Sequence, residues 1–234
     1  ISFLPLIGLS QNPLFIPDTL SGANINLELQ EGTHQFYVGQ TTNTMGANGN
    51  ILGPTIFLKQ GNNVQFSVNN QLMDTTTIHW HGLHVASEND GGPHTIILPN
   101  TTWSPSFAVL DKAATYWYHP HVHMNTEAQV RKGMAGIIIV RDSAEASLQL
   151  PRSYGFDDFP IVLQDRSFDA NNQFLINTLG DSMLVNGTAR PYLNVPAQMV
   201  RLRILNGSAA RVYNLGFNDN RNFHVIGSDG GLLP

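Results

Sequence analysis

The sequence predicts an all-β protein of Greek-key β-sandwiches, one complete domain followed by part of a second. Three observations carry that prediction. Apolar residues recur with period two, turn residues separate the short apolar runs, and no long helical period occurs anywhere in the 234 residues. Short strands spaced by such turns are the pattern of a sandwich. The 21 Gly and 13 Pro suit it, since Gly tolerates positive φ and Pro fixes a turn value. A 41% hydrophobic share is enough for a packed core.

Taken in order, Ile25, Leu27 and Leu29 alternate with polar residues, and so do Val64, Phe66 and Val68. Each set reads as a strand with one face on a core. Thr55 to Lys59, Phe107 to Leu110, Thr115 to Tyr118 and Ile137 to Val140 are further strands. Asn48-Gly49, Gly53-Pro54, Gly61-Asn62 and Asp90-Gly91-Gly92-Pro93 supply turns between them. The sequence suggests one helix, a short one near Thr126 to Lys132 before Gly133. A polar linker follows from Ser143, and a second strand series starts at Pro160. It continues through Leu184-Val185, Met199 to Leu205, Val212 to Phe217 and Phe223 to Ile226. The expected division is therefore 1–142 for the first domain, 143–158 for the linker and 159–234 for the second. A sandwich needs about seven strands, and the second unit offers fewer, so the chain is expected to stop inside that domain. Further polypeptide or another chain would then complete it.

Composition narrows the function. The net charge of −5 and the lack of a basic run give no footprint for nucleic acid. With no cysteine, disulfides, thiolate metal sites and a cysteine nucleophile are excluded, which fits an exported protein. Ile1 to Leu9 is apolar but interrupted by Pro5 and Gly8, too short for a membrane span of about 20 residues. It reads as the tail of a processed leader, a tether, or an arm lying on the fold.

The nine histidines carry the chemistry. Two tripeptides stand out, His79-Trp80-His81 and His119-Pro120-His121, each at a predicted strand end. Residues i and i+2 of a strand face one side, about 6 to 7 Å apart, so each tripeptide presents two imidazoles together while its middle residue turns away. Two such pairs on neighbouring strands would form a patch of four nitrogens, too wide for one ion and suited to two or three. Imidazole without thiolate or a carboxylate cluster points to copper first and zinc second. Trp80 is expected in the core, and Pro120 to end its strand.

At this point the residues resemble a family. Thr77-Ile78-His79-Trp80-His81-Gly82-Leu83-His84 with Asp90-Gly91-Gly92-Pro93 is similar to the first copper motif of multicopper oxidases. Tyr116-Trp117-Tyr118-His119-Pro120-His121, followed by Gly133-Met134-Ala135-Gly136, is similar to the second. Val185-Asn186-Gly187, Arg201 to Asn206 and Ser228-Asp229-Gly230-Gly231 extend the resemblance along the chain, closest to the bacterial periplasmic branch of cuprous oxidases and laccases. The resemblance implies cupredoxin domains and a periplasmic or secreted protein. It implies His79 as a ligand of the type 2 copper and His81, His119 and His121 as ligands of the type 3 pair. Dioxygen is reduced to water there, with electrons from a phenolic or cuprous substrate. Asp90 matches an acidic residue that helps deliver protons, although Asp-Gly-Gly-Pro is also an ordinary turn. His84 and His94 adjoin the motif as second partners or as solvent-facing loop residues. His123 continues the series but is unligated in the family, and His34 and His224 read as structural.

The chain departs from the family in one respect. A blue type 1 copper needs a Cys thiolate, and there is none, so these residues hold half the cluster ligands and no electron entry port. Activity is therefore expected only with a carboxy-terminal part or a complementing chain. A copper-binding module without turnover, a scaffold that has lost its metals, and a zinc hydrolase are the alternatives. The six Met are scattered singly along the sequence and read as core or surface.

Overall fold

The computed structural model describes residues 11–176 and 179–233, so the apolar opening Ile1 to Leu9 lies outside it. The strands of the first unit are β1 (Asn12–Pro13), β2 (Thr19–Ser21), β3 (Asn24–His34), β4 (Thr42–Ala47), β5 (Thr55–Lys59) and β6 (Asn63–Asn70). They continue with β7 (His79–His81), β8 (Thr101–Trp103), β9 (Ser106–Ala108), β10 (Ala114–His119), helix α1 (Thr126–Arg131) and β11 (Gly136–Arg141). One sheet runs β4-β3-β6-β8, with β9 also on β6, and the other runs β2-β5-β11-β10-β7. The chain leaves β4 for β5 in the opposite sheet and returns to pair β6 parallel to β3, a Greek-key crossing.

The alternation read in the sequence fills the space between these sheets. Ile25, Leu27 and Leu29 of β3 and Val64, Phe66 and Val68 of β6 meet Ile56, Leu58, Tyr116, Tyr118, Ile138 and Val140. Each fully buried aliphatic side chain contributes roughly 1.5–3 kcal/mol. Trp80 is completely buried in the same core, stacked on Phe66 with centroids 4.2 Å apart. Its indole N–H donates to the Asn89 carbonyl, 3.0 Å away.

After β11 come helix α2 (Ser143–Ser147) and strands β12 (Asp158–Phe168), β13 (Phe174–Leu175), β14 (Ser182–Val185), β15 (Thr188–Ala189), β16 (Pro191–Tyr192) and β17 (Arg201–Asn206). The strands β18 (Gly227–Ser228) and β19 (Gly231–Leu232) form a closing hairpin. Strand β12 is central, paired with β13, β14 and, in parallel, β17. This sheet lies on the outer face of the first unit, where Val162 and Leu205 pack on Ile137 and Ile139. Buried ion pairs fix the contact: Arg203 grips Asp158 at 2.7 and 2.8 Å, Arg141 reaches Asp158 at 3.0 Å, and Arg201 and Arg141 share Glu145 at 2.9 and 2.8 Å.

Several expectations are corrected. Helix α2 occupies part of the stretch read as linker, with Asp142 as its N-cap accepting from the Glu145 N–H at 2.6 Å. The Asp-x-x-Glu spacing is a capping-box signal that the linker reading passed over. Val212 to Phe217 and Phe223 to Ile226 form no strand, because no other described strand pairs with them, and Val212 and Val225 are 90% and 63% exposed. His224 is exposed there rather than held in a strand. The strand expected at Phe107 to Leu110 is Ser106–Ala108, and Thr42–Ala47 is a strand that its mostly polar, Gly-containing sequence did not announce. The second sheet also leaves Leu202 and Ile204 of β17 exposed on the face away from the first unit.

Candidate metal centre

The two histidine tripeptides meet at one edge of the first sandwich. Strand β7 is the edge strand of its sheet and pairs antiparallel with β10, setting His79 opposite His119 and His81 opposite Trp117. Trp80 points into the core, so the flanking imidazoles turn to the other face. Trp117 alternates onto the same face as His119 and stacks on its ring, with centroids 3.9 Å apart.

The fourth ring arrives differently from the sequence expectation. Strand β10 ends at His119, ahead of Pro120, so His121 lies outside the ladder. Its N–H donates instead to the Thr77 hydroxyl at 2.6 Å, and Thr77 is fully buried just before β7. The His121 ring then stands 5.3 Å from that of His79 and 5.9 Å from that of His119, centroid to centroid. Among the described residues, ring nitrogens of His79, His81 and His119 lie within 4.8 Å of one another.

Hydrogen bonds orient the rings. His119 Nδ1 lies 2.7 Å from the Pro120 carbonyl, and His79 Nδ1 lies 3.1 Å from the Asp90 carbonyl and 3.2 Å from its carboxylate. A ring whose Nδ1–H is donated to oxygen presents the Nε2 lone pair as a ligand, which is the usual way metal-binding histidines are held. His81 Nδ1 faces His119 Nε2 at 3.2 Å. Burial, helped by the neighbouring imidazoles and opposed by the Pro120 carbonyl, pushes the His119 pKa down to about 3. Burial and the His79 ring also lower His81, while the charge of Asp229 partly opposes this. Both shifts favour neutral imidazole, the form that binds metal.

Asp90 sits in a turn that only glycine completes. Gly91 has φ +74, and a methyl group there would overlap the Ile78 carbonyl oxygen. The turn also binds β7, since Trp80 N–H reaches the Asp90 carbonyl at 3.3 Å. His84 is turned away to the buried Asp111, with Nδ1 2.6 Å from its carboxylate, and His94 and His123 are exposed. His34 is half-buried beside Phe36 on β3. Sequence reasoning missed Thr77 as the anchor of His121. It also missed the approach of the closing hairpin, where the Tyr116 hydroxyl reaches the Gly230 carbonyl at 3.5 Å. Period-two alternation was signal enough to pair Trp117 with His119.

Two stacked mixed sheets with imidazoles converging at one edge define a β-sandwich built around a histidine cluster. Comparison with known proteins narrows this further. Residues 28–145 match the multicopper oxidase family. The chain is 42% identical over 216 residues to the multicopper oxidase mco of Staphylococcus epidermidis, covering 90% of this chain and 48% of that protein. It is 37% identical over 233 residues to the cell division protein FtsP of Escherichia coli, covering 96% and 50%. The crystal structure of a laccase from Pediococcus acidilactici superposes with a TM-score of 0.92 at 41% identity, over 96% of this chain and 52% of that one. The chain belongs to the multicopper oxidase family, with the cupredoxin-like fold of its structural neighbours. It spans about half the length of the curated relatives it matches. The family's multicopper oxidases and laccases imply a copper-dependent oxidoreductase, and the histidine cluster is a donor set that suits copper.

Proposed function

We propose that this chain is the amino-terminal part of a laccase-like oxidase and supplies four ligands to a trinuclear copper cluster. His79 would hold the type 2 ion and His81, His119 and His121 the type 3 pair. The observation that carries this reading is the convergence of four imidazoles, two of them turned by carbonyl oxygens so that Nε2 faces the others. Bound there, the copper ions would supply one-electron steps that reduce dioxygen to water at the expense of a phenolic or cuprous substrate.

The chain's own residues prepare the site. The Asp90 backbone and carboxylate fix the His79 ring, and the carboxylate, about one-third exposed, would pass protons inward from solvent. Trp117 covers the face of the His119 ring and limits water there. Thr77 holds the His121 backbone in place. A type 1 copper needs a thiolate that this chain lacks, so a carboxy-terminal part or a complementing chain would provide electron entry and the remaining ligands. Exposed Leu202 and Ile204 on the second sheet offer an apolar face for that part. We place the protein in the periplasm or outside the cell, following its resemblance to exported laccases. Among the described residues no helix is long and apolar enough to cross a membrane.

The test is copper content together with oxygen uptake on a phenol or on Cu(I), for the chain assembled with its carboxy-terminal part, as wild type and as His119→Ala. Copper-dependent uptake lost in the variant is expected. A protein that holds copper but consumes no oxygen is a binding module instead. The similarity to the cell division protein FtsP favours a second reading, a scaffold without bound metal, and failure to retain copper would select it.

A further inference from the structure

The one ligand outside the strand ladder depends on its backbone for position. His79 and His119 are each turned by a carbonyl oxygen, but among the described residues no hydrogen bond fixes the His121 ring. Thr77 holds the His121 N–H on one side. On the other side a turn over 122–125 leads into α1. The Val122 carbonyl accepts from the Asn125 N–H at 3.2 Å and from the Thr126 hydroxyl at 2.8 Å, so the start of the helix grips the residue after His121. The first sandwich holds the middle of α1 through buried Gln129, which donates to the Thr75 carbonyl at 2.9 Å. It holds the chain beyond the helix through the Lys132 and Gly133 carbonyls, which accept from the Met45 and Leu52 N–H groups at 2.9 and 2.7 Å.

The end of α1 is gripped from the second unit. Asp165 of β12 turns into its own unit, accepting from the Gly180 N–H at 2.7 Å and from Arg211 at 2.9 Å. Arg166, the next residue, turns to the first unit. Its Nε donates to the Arg131 carbonyl at 2.8 Å and its Nη2 to the Val130 carbonyl at 3.3 Å, while Nη1 donates to the Asp165 carbonyl at 2.8 Å. The guanidinium carbon also lies 5.9 Å from the centre of the Phe174 ring. No carboxylate pairs with Arg166 among the described residues, and the neighbouring buried Arg131 is paired with Glu127. Burial, helped by the charge of Arg131, pushes the Arg166 pKa down to about 10, which leaves it cationic at neutral pH. A cation 3% exposed without a counter-charge is costly to bury, so packing alone does not account for it. What its donors do match is the set of carbonyls that a helix end leaves without intrahelical partners.

We propose that Arg166 is a positioning residue for the metal centre, acting through α1 so that the placement of His121 depends on the docked second unit. That unit contributes none of the four rings, yet through this contact it shares in holding the metal. The consequence for copper rests on the trinuclear reading, whereas the mechanical link from Arg166 to His121 does not.

The experiment uses the chain assembled with its carboxy-terminal part. Arg166→Met removes the charge and the donors at similar length, and Arg166→Lys keeps the charge. In the metal-free protein, amide hydrogen exchange over 121–131 should quicken several-fold in Arg166→Met, with 79–81 unchanged and Arg166→Lys intermediate. Copper affinity, read by chelator competition, should fall several-fold, less than the 10–100-fold, roughly, that losing an immediate outer-shell partner costs. The same loss is expected in a His79→Ala background and none in a His121→Ala background, where the ring being positioned is gone. Asp158→Asn, which weakens the same interface away from α1, should leave exchange over 121–131 and copper affinity as in wild type under folding conditions. If Arg166→Met does not fold, Arg166→Lys carries the same comparisons. Unchanged exchange over 121–131, copper affinity equal to wild type, a loss that persists undiminished without His121, or equal effects in Asp158→Asn each overturn the proposal. A wild type that holds copper while exchange ignores Arg166 sinks only this inference. A wild type that holds no copper, with exchange over 121–131 quickened in Arg166→Met, sinks only the trinuclear reading.

Discussion

Replacing Thr77 by valine removes one oxygen and keeps the shape of the side chain. Thr77 is completely buried, and its hydroxyl accepts the His121 N–H at 2.6 Å. Because His121 lies beyond the end of β10, no ladder bond is available to replace that acceptor. Leaving the N–H without a partner costs about 1–3 kcal/mol of stability. The larger effect falls on the site, because the His121 backbone is then free to shift while the other three rings stay on their strands. Loss of an outer-shell partner commonly lowers metal affinity about 10–100-fold, and that is the drop expected for copper, measured by chelator competition. Thr77→Ser retains the hydroxyl and should restore most of the affinity. The control Thr76→Val breaks a different buried bond, Thr76 Oγ1 to Gln129 at 2.7 Å, and should lower stability with little change in copper binding. Copper affinity in Thr77→Val equal to wild type, at matched folding by near-UV circular dichroism, would refute the anchor role. So would an equal loss of affinity in Thr76→Val.

Three further outcomes are expected. Gly91→Ala places a side chain at φ +74 against the Ile78 carbonyl, costing at least about 1–2 kcal/mol for the left-handed geometry alone; thermal unfolding and copper content should fall together as Asp90 leaves His79. Asp158→Asn strips the fully buried Arg203 of its counter-charge and should cost about 3–5 kcal/mol in urea unfolding, whereas Asp158→Leu with Arg203→Met should recover most of it. In the metal-free protein the His119 pKa falls from 6.5 to about 3, so between those values the unfolded chain binds more protons than the folded one. Stability from this group is therefore fully present above pH 6.5 and is lost as pH falls towards 3, on the order of a few kcal/mol. Urea melts at pH 7 and pH 4 should show the difference in wild type and less of it in His119→Gln.

Much of the first sandwich was legible because its strands are amphipathic. Each has one face on the core, so residues such as Leu27 or Phe66 alternate with polar neighbours and reveal both the strand and its inner side. The second unit was harder to read. Strand β12 has buried positions on both faces, and its inner face carries Asp158, Gln164 and Arg166 where a simple core would carry apolar residues. Their burial depends on partners far along the chain, Arg203 for Asp158 and the Arg131 carbonyl for Arg166. No local pattern announces such pairs. Val212 to Phe217 erred the other way: an apolar stretch with strand propensity forms a strand only where a neighbour offers a ladder of hydrogen bonds.

By itself the sequence determined the all-β class, the burial of Trp80 and the candidate donors His79, His81, His119 and His121, because side-chain chemistry and period-two geometry are local properties. Tertiary structure alone decided how those donors meet. It put β7 at the edge beside β10, aimed Nε2 of His79 and His119 through the carbonyls of Asp90 and Pro120, and hung His121 on Thr77 after its strand had ended. The physical reason is that a ligand's type is written in one residue, while its direction is set by hydrogen bonds to atoms that only folding brings near.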